Sequence, residues 1–142
     1  MELDRLTIDG VRSAVASGET TATALAELHY GRIESEDSKI NSFLALSRER
    51  ALLQAGKIDA MAAKGEVLPV LAGVPVGIKD VLTMQGAPAT AGSLILKGYR
   101  PPYDATVVTK LEAAGWEHIL HLRLIKRIRK TINNQMMRLV AK

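Results

Sequence analysis

Leu71-Ala72-Gly73-Val74-Pro75-Val76-Gly77-Ile78-Lys79-Asp80 is a short β-branched run, punctuated by glycine and proline, that ends on two charges. With Val67-Leu68-Pro69-Val70-Leu71 just before it, it reads as buried strand or strand entry, because β-branched residues bounded by Gly and Pro favour a short extended segment over a helix. Lys79 then falls at the end of a strand, where α/β folds place their sites. A lysine in surroundings of low polarity loses part of its preference for the ammonium form and can serve as a general base. The plainer alternative is a strand-end lysine that extends to solvent, with Asp80 an ordinary exposed charge beside it.

Outward from this stretch the period changes. Upstream, Thr7 can cap a short helix through Ala16, with Gly18 as the stop. Thr20 or Thr21 opens a second helix with Leu25, Leu28 and Ile33 on its apolar side. Ser47 can cap a third, through Ala51, Leu52, Ala55, Ile58 and Ala62 to Gly65. Downstream, a Gly/Ala/Pro/Thr-rich loop runs from Gly86 to Ser93, and Pro101-Pro102 fixes an extended approach to a helix capped by Asp104. That helix has Val107, Val108, Leu111 and Ala114 as apolar positions and ends at Gly115. Helices followed by strand, loop and helix are the start of an α/β domain, which should next return to a strand. Trp116-Glu117-His118-Ile119-Leu120 is a poor candidate for one.

The chain of 142 residues is long enough for one modest core, and its 47% hydrophobic and 24% charged residues are those of a globular protein. No apolar run approaches the roughly 18 residues that a membrane-spanning helix needs. The start, Met1-Glu2-Leu3-Asp4-Arg5, does not read as a secretory signal. Without cysteine there is no disulfide or thiolate metal site, and the cytoplasm is the expected compartment. The net charge of +4 would point to an anionic partner if it were spread over the chain. It is not: residues 1–116 hold twelve Lys/Arg against fourteen Asp/Glu, and residues 117–142 hold seven against Glu117 alone. All eleven glycines and all five prolines also lie at or before Gly115. The chain therefore divides into a body, 1–116, and a divergent basic tail, 117–142. A separate module, a variant terminus or an unrelated reading frame would each produce such a break.

Gly73-Val74-Pro75-Val76-Gly77-Ile78-Lys79-Asp80, Thr90-Ala91-Gly92-Ser93, Pro102-Tyr103-Asp104-Ala105-Thr106-Val107-Val108 and Leu111-Glu112-Ala113-Ala114-Gly115 occur in an order and at a spacing that resemble the N-terminal part of the amidase-signature family. Arg32-Ile33-Glu34, Lys39-Ile40-Asn41-Ser42-Phe43-Leu44 and Tyr103-Asp104-Ala105-Thr106 are most similar to its glutamyl-tRNA(Gln) amidotransferase A-subunit branch. The resemblance covers residues 1–115. It implies the N-terminal helices, first strands and first helix of a larger mixed sheet, here truncated and followed by a basic helical tail. It also implies a Ser–cis-Ser–Lys hydrolase in which Lys79 is the base, acting through a bridging serine so that a second serine can attack an amide carbonyl. In the A-subunit branch the amide is that of glutamine. The ammonia released is used, with ATP spent by the parent complex, to amidate Glu-tRNA(Gln). The implied partners are an amide substrate and the B and C subunits of a heterotrimer, with nucleic acid reached only through those partners. No cofactor is expected on this segment, and no membrane.

The departure from the family pattern concerns the nucleophile. The family serines lie downstream in a Gly/Ser-rich signature, whereas after Lys79 this sequence has one serine, Ser93, in a turn-prone loop. His29, His118 and His121 have no Gly-x-Ser-x-Gly partner, and His118 with His121 is short of a metal site. The reading is an amidase N-terminal portion that is inactive as this chain. The alternatives are a stand-alone amidase fragment and a non-catalytic module. For the latter, Leu122, Ile125, Ile128, Ile132, Met136 and Leu139 oppose Arg123, Lys126, Arg127 and Lys130 in an amphipathic stretch over 119–140 that could bind RNA or a membrane surface.

Overall fold

The computed structural model describes residues 6–122. Its elements in chain order are α1 (Ile8–Ser17), α2 (Ala22–Ile40), β1 (Phe43–Leu46), α3 (Arg48–Ala63), β2 (Pro75–Lys79), α4 (Thr106–Ala113) and β3 (Glu117–Leu122). The fold is α/β: helices first, then a mixed sheet of order β1-β3-β2. β3 runs antiparallel to β1 and parallel to β2, with Val76 opposite His118 and Lys79 opposite Leu122. A parallel neighbour requires a crossover, and the loop after β2 together with α4 supplies it.

Local chemistry sets the helix ends. The Thr7 side chain accepts from Gly10 N–H at 3.1 Å, and Gly18 closes α1 in the left-handed region. Thr21 caps α2 through Ala24 N–H at 3.0 Å. A second cap on α2 comes from α3: the Asp59 carboxylate accepts from Ala22 N–H at 2.6 Å and from Thr23 N–H at 3.1 Å. This joins the two helices through the orphan donors of one of them. Ser47 stands at the start of α3 but makes no side-chain cap hydrogen bond.

Two cores result. Val11, Val15, Leu25, Ala26, Ala55 and Ile58 pack the three N-terminal helices on one another, with Ala72 in the same cluster. Ile78, Met84, Ala87, Val108 and Trp116 form the other, between β2 and α4. Trp116 is fully buried and leads into β3, so the segment that reads as a poor strand is in fact the central one. Its pairing on both sides outweighs weak intrinsic preference. Residues 119–122, the opening of the amphipathic stretch, belong to this strand; the remainder of that stretch lies outside the described residues.

Three other expectations are corrected. Val67–Leu71 is not a strand: Pro69 has no N–H, Val67 is exposed, and Leu71 N–H donates to Ala114 O at 2.9 Å. Asp104 does not cap α4, whose N-cap is Ala105 with no side-chain bond. Asp104 instead accepts from Arg50 Nη2 at 2.7 Å and from Gln85 N–H at 2.8 Å, the first a charge-assisted bond. Leu28, expected on the apolar side of α2, is exposed.

Candidate active site around the end of β2

β2 ends on Lys79, whose side chain is exposed, and the chain turns at once, with Leu82 N–H donating to Lys79 O at 2.8 Å. The apolar enclosure that a buried lysine base would need is not built by the described residues. Asp80, one residue on, is 0% exposed and is not the solvated neighbour that adjacency to Lys79 implies. Its carboxylate accepts from Thr90 N–H at 2.6 Å, from the Thr90 hydroxyl, and from Gly92 N–H at 3.3 Å. Its carbonyl accepts from Ala91 N–H at 3.1 Å. A buried carboxylate needs several donors to replace its lost hydration, and the Thr90-Ala91-Gly92 turn supplies them. The result joins two of the sequence motifs physically: Asp80 fastens the Thr90–Ser93 loop to the end of the strand that carries Lys79.

The loop bears a conformational cost for this, since Ala91 has φ 48°, a region that residues with a side chain seldom adopt. Ser93 closes the turn by donating its N–H to Thr90 O at 2.8 Å, and its hydroxyl accepts from Ile95 N–H at 3.3 Å. No base is hydrogen-bonded to that hydroxyl among the described residues.

The third motif is tied down from α3. Arg50 reaches Asp104 with both terminal nitrogens and Glu112 with Nε at 2.7 Å. The hydrogen bond to Asp104, against some desolvation, and the pairing with Glu112 push the Arg50 guanidinium up from its ordinary value. This ion-pair network fixes both ends of α4 against α3, and so fixes the crossover that follows the Lys79 strand. Sequence reading missed Arg50, and nothing local to Arg50 signals the role. Beside it a cleft of about 270 Å³ is lined by Leu46, Arg48, Gln85, Pro88 and Arg100 among others. Its arginines are already engaged: Arg48 with Glu27 and Glu34, Arg100 with Gly86 O. His29 Nδ1 lies 2.7 Å from Leu25 O, a contact within α2. The described residues hold no group of three or more His, Cys, Asp or Glu placed for a metal ion.

The amidase family profile matches residues 24–121, most of the chain, including β1, β2, all but the last residue of β3, and the motif segments joined at Asp80. The chain belongs to the amidase family. The match continues past Gly115, the limit of the motif resemblance, into β3. Among relatives, the glutamyl-tRNA(Gln) amidotransferase A subunit of Koribacter versatilis is 57% identical over 115 residues, 81% of this chain and 24% of that protein. Its counterpart from Streptomyces coelicolor is 47% identical over 113 residues, 80% of this chain and 23% of that one. Among solved structures, a chain from a vestigial protein complex bearing on the origins of an s-triazine catabolic enzyme has a TM-score of 0.80 at 34% identity, over 84% of this chain and 26% of that chain. The peptide amidase of Stenotrophomonas maltophilia has a TM-score of 0.77 at 27% identity, over 84% and 25%. The chain thus spans about a quarter of the length of the relatives it matches.

Proposed function

We propose that this chain is the N-terminal portion of an amidase of the glutamyl-tRNA(Gln) amidotransferase A-subunit type, that Lys79 is its general base, and that the chain by itself does not hydrolyse amides. The observation that carries the reading is the position of Lys79: it ends β2 inside the Gly73–Asp80 motif, with the Thr90–Ser93 motif fastened beside it by Asp80. In such a hydrolase the lysine amine takes a proton, through a bridging serine, from the attacking serine hydroxyl. The serine oxygen bonds to the amide carbon, the C–N bond breaks, and the nitrogen leaves as ammonia with that proton. Water then releases the acyl group. This sequence supplies the base and, after it, only Ser93, whose hydroxyl faces its own loop.

The wider assignments rest on likeness to the A subunits. In the parent assembly glutamine is the amide and the ammonia goes to Glu-tRNA(Gln). ATP is spent there and not on this segment, the B and C subunits are the partners, and the setting is cytoplasmic. Among the described residues no helix is long and apolar enough to cross a membrane. The division into an amidase body and a basic tail, expected after residue 116, is part of the same proposal with its boundary moved to the end of β3, because Glu117–Leu122 is the central strand of the sheet. The test is incubation of the purified chain with glutamine and with simple aryl amides. No turnover is expected, and turnover that Lys79→Ala abolishes would overturn the proposal of inactivity.

A further inference from the structure

The cleft of about 270 Å³ lies where β1 passes into α3, against Met84–Pro88 and the side chain of Arg100. Lys79 is not among its lining residues, and β3 stands between β1, which lines it, and the strand that carries Lys79. Its apolar wall is Leu46, Met84, Ala87 and Pro88, with Met84 and Ala87 buried.

Four charged side chains also line it, and they differ in what they already meet. Arg48 is paired with Glu27 and Glu34, and Arg50 with Asp104 and Glu112, so both of these guanidinium charges are compensated in place. Glu49 and Arg100 are not. Among the described residues neither has an ion-pair partner, and they do not pair with each other. Arg100 is held at the cleft by one hydrogen bond, from Nη1 to Gly86 O, which leaves most of its donors free.

One small cleft therefore carries one uncompensated carboxylate, one uncompensated guanidinium and an apolar wall. A simple anion would meet repulsion from Glu49, and a simple cation repulsion from Arg100. A zwitterion meets neither. The volume lies just below the roughly 300–1,000 Å³ of sites for drug-sized ligands and suits a small metabolite. We infer that this cleft binds a free α-amino acid with an aliphatic side chain, its carboxylate on Arg100, its ammonium on Glu49 and its side chain on the apolar wall. A peptide terminus carries only one of the two charges and does not satisfy the site. Because Glu49 and Arg100 are exposed, the affinity is modest, with a Kd of about 1 mM.

The test titrates the isotopically labelled full chain with L-leucine and follows the backbone amides by NMR. Saturable shifts are expected around residues 45–50, 84–88 and 100. N-acetyl-leucine, which lacks the ammonium, and leucinamide, which lacks the carboxylate, should each bind roughly tenfold more weakly or worse. Glu49→Gln and Arg100→Gln should weaken leucine binding by a similar factor and leave the melting temperature unchanged, while Arg100→Lys should retain part of the affinity. If either variant lowers the melting temperature, the two leucine analogues decide the matter on the unsubstituted chain. No saturable shift up to about 20 mM leucine overturns the inference. So does an analogue that binds as tightly as leucine, because one charge would then suffice, and so does binding indifferent to both neutral variants.

Discussion

At the scale of single residues, Asp80 matters to the site as much as Lys79 does. Its carboxylate accepts from Thr90 and Gly92 at a position with no access to water, so Asp80→Ala removes the charged acceptor that holds the Thr90 turn to the end of β2. A loss of about 2–3 kcal/mol in urea unfolding is expected. Asp80→Asn, which keeps the shape and one acceptor oxygen, should lose less. Lys79→Ala should leave the unfolding midpoint unchanged, because its side chain is exposed. The contrast separates a residue that builds the site from one presented by it. That Lys79 ends a strand was legible from sequence because its motif is contiguous. The burial of Asp80 was not, since its donors lie 10 and 12 residues further on and belong to a loop whose path no local rule sets.

At the scale of elements, legibility follows the range of the interactions that define each one. The ends of α1 and the start of α2 could be read because Thr7, Gly18 and Thr21 act within a turn of their own helices. β1 and β3 exist through pairing between distant segments, which leaves little trace in four or six residues. Asp104 reads as a cap until Arg50, 54 residues away, takes its carboxylate. Two glycines give a controlled comparison of helix ends. Gly18 and Gly115 both have positive φ, but a Cβ on Gly18 meets nothing within 4 Å, whereas one on Gly115 meets Pro69 Cβ at 2.8 Å. Gly18→Ala should therefore cost about 1 kcal/mol, the left-handed penalty alone. Gly115→Ala should cost more, toward the upper end of about 1–3 kcal/mol, by forcing α4 and β3 away from the 69–71 segment. Asp59→Ala, which uncaps α2 from α3, should cost about 1–2 kcal/mol. Chemical denaturation of the three variants side by side orders them.

At the scale of the whole molecule, the described residues make two larger buried clusters, one small one, and a three-stranded sheet with β1 and β2 as its edges. Leu94 and Ile95 stand in water, each giving up about 1.5–3 kcal/mol that burial would supply. A chain with open strand edges and uncovered aliphatic side chains should be marginally stable, and should associate as concentration rises. Light scattering across a concentration series, with melting followed in parallel, measures both. A sharp two-state melt of a monomer, with slow hydrogen exchange over residues 70–80, would contradict this.

In the function proposed above, the chain carries an amidase base without a nucleophile for it to serve. Intact-mass spectrometry after incubation with a serine-reactive fluorophosphonate tests it directly. An unmodified mass is the predicted result. A stoichiometric adduct on Ser93 that disappears in Lys79→Ala would contradict the claim.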